Sequence, residues 1–295
     1  MGSENLRDLI LFLFEKVDKS DSLEGATKYH TLKLLFKLDQ ELPHNHSLKF
    51  SIPYYWYFHG PLSDPVTEKL SSLLGNGLEI FEKNRNTLYR IQDSAEYNPN
   101  NIDEETRNII NQLLEPKNFF QIDKKVYKEY APYEFMYPYK FIFLENIKKY
   151  GKVSTDESEN SDLMDDAVDL CYDCESKLPG EKYFLEYEDL FSKFARTLDK
   201  INRNDIGKDY FIEIFTSTNK IWETFAYGLR TQHHHNYYEN SVSQWDAQFK
   251  SEIDNLNYVI EDFSSIARSS SRKPKIKFSE TSKKILSSSI QAYTN

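Results

Sequence analysis

A mainly helical chain, with three helices and a β-hairpin at its N-terminus and an all-helical bundle behind them, is what three features of the sequence predict. Residues 6–42 carry two apolar stripes at helical spacing. Residues 78–91 carry two short apolar runs around a polar turn, and beyond residue 103 every strong apolar pattern has the helical period. At 295 residues the chain exceeds the usual single-domain size. The expected division is therefore residues 1–92, residues 103–266 and a basic, Ser-rich tail over residues 267–295.

Leu6, Leu9, Ile10, Leu13, Phe14 and Val17 form one stripe on a first helix that ends near Lys19. After the turn-rich Ser20–Gly25, a second helix carries Leu32, Leu35, Phe36, Leu38 and Leu42, and Pro43 stops it. Ile52–His59 is dense in aromatic residues and runs into Gly60-Pro61, which predicts a short extended segment entering a turn. Ser63 and Asp64 suit a helix start and Pro65 its first turn, so a third helix is expected over Asp64–Leu74. Gly75 and Gly77 end it. Leu78–Phe81 and Thr87–Ile91 then flank the polar turn Glu82–Asn86 as a hairpin, and three helices followed by a hairpin is the order of a winged helix.

Beyond the polar connection Gln92–Asp103, helices are expected around Ile109–Leu114 and over Phe135–Ile147, Phe184–Leu198, Tyr210–Leu229 and Trp245–Ile266, packed as a bundle with no strand signal. Ser154–Asp162 is polar and acidic enough to be a mobile loop. From Ser264 to the end stand seven basic residues against the single acid Glu280, whereas Gly151–Lys200 holds six basic and fourteen acidic residues. These two segments can attract one another within a Debye length of roughly 10 Å.

The net charge of −10 disfavours broad, nonspecific contact with nucleic acid or an anionic membrane, so any basic surface must be local. Cys171 and Cys174, the only two cysteines, are too few for a disulfide framework, and a reducing cytoplasm fits them best. No apolar run approaches the roughly 18–20 residues of a membrane span, and Met1–Asp8 carries no signal-peptide pattern. Gly2 does not complete a myristoylation motif, because Leu6 stands where Ser or Thr is needed.

The stretch Tyr55-Trp56-Tyr57-Phe58-His59-Gly60-Pro61-Leu62-Ser63, preceded by the helix segment Leu32-Lys33-Leu34-Leu35-Phe36, resembles the bacterial YwgA-like proteins and, more distantly, the Panacea (SocA-like) antitoxin domain. Both families show a lysine-bearing helix, then an aromatic strand ending in Gly-Pro that turns into the third helix. The resemblance covers residues 1–92 and implies a regulatory or partner-neutralising module of the kind associated with toxin control, phage biology or defence. It implies no catalytic residues.

Three functions follow from these residues. The first is a non-enzymatic interaction protein that binds a macromolecular partner, most readily a protein, through Tyr55, Trp56, Tyr57, Phe58, Gly60 and Pro61. One strand cannot bury so many rings on one face, and the rings left over are expected to find either the chain's own helical domain or a partner. This surplus is also compatible with self-association. The second is a DNA-binding regulator with Lys69, Lys83, Arg85, Arg90 and the tail residues Lys273, Lys275 and Lys277 on phosphates, although Asp64 and Glu68 on the third helix would repel them. The third is a metal-dependent hydrolase or nuclease carried by Asp165 and Asp169, which with Asp162 and Asp166 share a helix face. A solvated face explains these carboxylates better. Cys-x-x-Cys lacks the second half of a zinc site, three adjacent histidines (His233, His234, His235) cannot all face one metal, and no catalytic or phosphate-cradling motif occurs. No cofactor, metal or membrane partner is expected.

Overall fold

The computed structural model describes residues 3–152 and 157–269, which form two compact units. One unit comprises the chain up to Tyr130 together with Arg230–Val242, and the other comprises Ala131–Leu229 and the chain from Ser243 onward. The division therefore falls at Tyr130, not within residues 92–103, and the first unit also takes back a segment from far along the chain.

In the first unit, α1 (Ser3–Asp18) turns its Leu, Ile and Phe stripe inward. α2 (Lys28–Glu41) begins where Thr27 accepts a hydrogen bond from His30 N at 3.1 Å, and it is buried on all sides from Thr31 to Asp39. Such a helix is central, so its charged residues Lys33, Lys37 and Asp39 must find partners inside the unit. β1 (Tyr54–Tyr57) and β2 (Gly60–Leu62) pair antiparallel, Tyr57 opposite Gly60, around the two-residue turn Phe58-His59. The Gly-Pro pair thus opens a second strand before the helix begins. Pro61 is tolerated there because β2 lies at the sheet edge, where a missing N–H costs no ladder bond.

α3 (Asp64–Leu73) starts at the Ser63 cap and leads into β3 (Leu78–Lys83) and β4 (Asn86–Ile91), a separate two-stranded sheet. The turn is tighter than the polar stretch suggested: Asn84 and Arg85, both with positive φ, make a two-residue reversal, and the strands run up to it. Between α1 and α2, Ala26 exchanges both backbone hydrogen bonds with Tyr89 of β4, at 3.2 and 2.9 Å.

α4 (Glu104–Leu113), α5 (Pro116–Phe119) and α6 (Ile122–Tyr130) complete this unit, with α4 and α6 packed on α2. The sequence pattern assigned α4 to the bundle and missed α5 and α6, which are short, polar and followed by a break at Ala131.

In the second unit, one helical run passes through α7 (Met136–Pro138), a π-helical turn (Tyr139–Phe143) and α8 (Leu144–Lys152). α9 (Glu157–Glu175), α10 (Leu185–Arg203), α11 (Phe211–Gln232) and α12 (Glu239–Ser269) follow. Of the stretch Ser154–Asp162, the part from Glu157 is helical, and residues 153–156 lie outside the described residues. The core is a cluster of rings: Phe135, Tyr139, Phe184, Tyr187, Phe191, Trp222 and Phe225 are all buried, with Trp222 stacked on Tyr139. Tyr139 donates to the Thr218 carbonyl at 2.8 Å, which meets the demand of its buried hydroxyl.

Gly228 of α11 shows how tight this packing is. A Cβ there would lie 2.7 Å from Phe184 Cε1 and 2.8 Å from Phe249 Cε2. Alanine in a helix interior normally gains about 0.5–1 kcal/mol over glycine. Overpacking against two buried rings costs about 1–3 kcal/mol. Gly228→Ala is therefore expected to lower stability, seen as a lower denaturant midpoint; a raised midpoint would show that the rings yield.

One strand does occur beyond residue 103. β5 (His234–His235) follows α11 and pairs antiparallel with β1 on the side away from β2, giving the sheet order β2-β1-β5. Two residues are too few to show alternation, so sequence periodicity could not reveal it. No helix among the described residues is long and apolar enough to cross a membrane.

Candidate functional site

The aromatic strand and its Gly-Pro corner lie where α2, α6 and the returning segment Arg230–Val242 converge. Trp56, the third residue of β1, points inward and is 3% exposed, with its ring edge-on to Phe36 of α2 and to Tyr127 of α6. Its backbone N–H donates to the His233 carbonyl at 2.9 Å. The opposite face carries Tyr55 and Tyr57, both half-buried. Tyr55 donates to Asp64 Oδ1 at 3.2 Å and meets the Tyr237 ring edge-on, while the Tyr237 hydroxyl accepts from Asp64 N. Burial raises the Tyr55 phenol, and the neighbouring Asp64 carboxylate adds to the rise. The Arg230 guanidinium sits 5.0 Å from the Tyr57 ring centroid. Within the first unit, α2 and α6 thus bury one face of the strand, and the returning segment partly covers the other.

Gly60 adopts φ +102°, a conformation costly for residues with a side chain, and a Cβ there would meet Tyr127 Cε2 at 3.1 Å and Lys33 Cε at 3.4 Å. Under this glycine the Lys33 ammonium pairs with Asp123 of α6 at 2.7 Å and lies 5.8 Å from the Tyr29 ring centroid. One turn along α2, Lys37 pairs with Glu129 at 2.5 Å and Glu41 at 2.9 Å. Burial works against the Lys37 charge, but the two carboxylates outweigh it and hold its pKa above the ordinary lysine value. The rings of Tyr29 and His59, both half-buried, are tilted against one another with centroids 4.5 Å apart. Nearby, His30 faces Phe119, and its buried Nδ1 has no hydrogen-bond partner among the described residues. Burial, then the Lys33 charge, lowers the His30 pKa, so that imidazole is held neutral.

Of the six residues expected to meet a partner, Trp56, Gly60 and Pro61 are buried, and Tyr55, Tyr57 and Phe58 are half-buried. The sequence reading named Lys33 and His59 only within the resemblance and gave no role to Asp123, Tyr127 or Arg230. Two lysines four residues apart inside an apolar helix were the available signal.

The cations expected to hold phosphate are placed differently. Lys83 pairs with Glu24, and Arg90 pairs with Glu79 while lying over the Phe81 ring. Arg85 is exposed at the hairpin tip and Lys69 is half-buried on α3, whose open side shows Asp64, Glu68, Ser71 and Ser72. Lys273, Lys275 and Lys277 lie outside the described residues.

In the second unit, Asp165 accepts a hydrogen bond from Asn202 at 2.6 Å, whereas Asp169 faces a surface groove, so the two acids proposed for hydrolysis do not converge. Cys171 and Cys174 are buried free thiols. Burial pushes both up, Cys174 to about 12, which keeps them protonated and unreactive. Among the described residues no three His, Cys, Asp or Glu side chains are grouped to hold a metal ion.

Compared with protein-family models, with curated proteins and with solved structures, the chain shows no match.

Proposed function

We propose that this protein is a non-enzymatic regulatory protein whose first unit is a winged-helix-type module that binds a protein partner. The backbone exchange between Ala26 and Tyr89 supports the module: it puts a minimal third strand between the first two helices and beside the hairpin, where a winged helix has one. The residues 43–63, with β1 and β2, are then an insertion between its second and third helices. The sequence resemblance of residues 1–92 to antitoxin-type domains agrees with a partner-neutralising role.

The observation that carries the choice of partner is the state of the charges. A DNA-reading winged helix needs free cations on its third helix and wing. Here Lys83 and Arg90 are matched by the chain's own carboxylates, and α3 displays Asp64 and Glu68. The accessible rings Tyr55, Tyr57, Phe58 and His59, with Phe120 66% exposed on the same unit, offer the aromatic surface typical of protein interfaces.

Affinity co-purification of the full chain from its host, with and without nuclease, tests this. A protein retained after nuclease and lost at least about tenfold in the Tyr57→Ala, Phe58→Ala variant is expected, in keeping with hot-spot losses above 1.4 kcal/mol. Co-purifying nucleic acid whose retention falls steeply with salt would replace this reading with DNA binding.

A further inference from the structure

Between α8 and α9 the second unit carries an open groove of about 510 Å³. Its floor is apolar, from Phe141, Ile142 and Leu170, and one wall is an acidic stripe in which Asp166, Asp169 and Asp173 succeed one another along α9, the last also pairing with Lys177 at 2.6 Å. Glu145 and Lys149 line the other side, with Asn146, whose shielded amide oxygen has no hydrogen-bond partner among the described residues. The π-helical turn Tyr139–Phe143 contributes two of the floor residues, and such wide turns recur at binding sites. Apolar floor and acidic wall together ask for an occupant that is basic and partly apolar.

The chain itself holds such a segment. Arg272–Leu286 has six basic residues, Arg272, Lys273, Lys275, Lys277, Lys283 and Lys284, against Glu280 alone, interspersed with Ile276, Phe278, Ile285 and Leu286. It begins three residues after Ser269, the last described residue. α12 runs alongside α10 in the same direction, with Lys193 paired to Glu261 and Thr197 hydrogen-bonded to Ser264. α9 runs opposite to α10, with Glu175 beside Ser192 and Asp165 beside Asn202. Ser269, the last described residue, therefore lies toward the end of the bundle where Asp165 and Asp166 stand. Ten residues of extended chain span about 33 Å, enough to bring Lys275–Lys284 onto the acidic wall.

We propose that this groove is the docking site of the chain's own segment Arg272–Leu286, with its lysines on Asp166, Asp169 and Asp173 and its apolar side chains on Phe141, Ile142 and Leu170. Individual surface ion pairs are weak. Tethering compensates for that, because a covalently linked segment is present at roughly millimolar effective concentration. The contact occupies the tail lysines, so the chain covers its most basic stretch with its own acid. This inference rests on the second unit alone and is independent of what the first unit binds.

The test is zero-length lysine–carboxylate cross-linking of the full chain, mixed from isotope-labelled and unlabelled copies and read by mass spectrometry. Expected are intrachain links from Lys275, Lys277, Lys283 or Lys284 to Glu145, Asp166, Asp169 or Asp173. They should fall severalfold near 0.5 M salt, where the Debye length is about 4 Å. The Asp166→Asn, Asp169→Asn variant alters exposed side chains and leaves the Lys177–Asp173 pair in place, and amide exchange over residues 272–286 should quicken in it by about tenfold or more, as for loss of a local closed state. Links scattered evenly over the acidic surface, links joining labelled to unlabelled copies, or exchange unchanged by the variant would each overturn the proposal.

Discussion

Trp56→Ala should destabilise the first unit by about 3–5 kcal/mol, the usual cost of emptying a fully packed aromatic site. The indole is 3% exposed and edge-on to both Phe36 and Tyr127, so its removal leaves a hole bounded by two rings from different helices. Those rings are fixed by their own neighbours: Phe36 also meets Tyr54 and Tyr130, and the Tyr127 hydroxyl reaches the Phe58 carbonyl at 3.4 Å. Little collapse is therefore available. Tyr57→Ala, one residue on but facing outward under Arg230, should cost less than about 1.5 kcal/mol, in line with a half-exposed cation–π contact. Urea titration followed by far-UV circular dichroism measures both. Equal losses at the two positions would mean that the inward and outward faces of β1 are assigned wrongly, and with them the binding surface proposed above.

Lys33→Ala is the second large effect. Breaking a buried ion pair from one side typically costs about 3–5 kcal/mol, because the remaining charge loses its partner. The Asp123 side chain is 39% exposed and can recruit water, which places the expected loss nearer 2–3 kcal/mol. Asp123→Asn alone strands the more deeply buried Lys33 and should cost at least as much, whereas Lys33→Met with Asp123→Asn removes both charges and should recover part of the loss. The double-mutant cycle gives the coupling directly. Additive losses would show that the ammonium and carboxylate are independently solvated and that the lysine of α2 has no structural task beneath Gly60.

The first three helices and the hairpin were legible because each carries a local signal strong enough to act alone. Ser63 and Pro65 announce α3, and the stripe Leu6–Val17 announces α1. The tight turn was read too long, since Glu82, Lys83 and Asn86 are polar yet lie in the strands, their side chains outside the unit's core. What the sequence could not reveal was long-range assembly. Nothing local marks His234-His235 as a strand, because its identity comes from backbone bonds to Tyr54 and Tyr55. Likewise α4 was assigned to the bundle and α6 was missed, because their place is set by packing on α2, where Asp123 and Glu129 of α6 balance the buried Lys33 and Lys37. The aromatic strand and its Gly-Pro corner were legible as a cluster, but alternation along β1 and the close approach of Tyr127 to Gly60 decide which of its members are buried.

The return of Arg230–Val242 to the first unit has a kinetic consequence during synthesis. His235 and the Phe50 carbonyl are 185 residues apart, and the edge strand beside β1 cannot form until that much chain has been made. At roughly 5–20 residues per second, the nascent protein spends on the order of ten seconds or more with the far edge of β1 unpaired. Until then that strand edge offers unpaired backbone groups of the kind that can pair with a neighbouring chain.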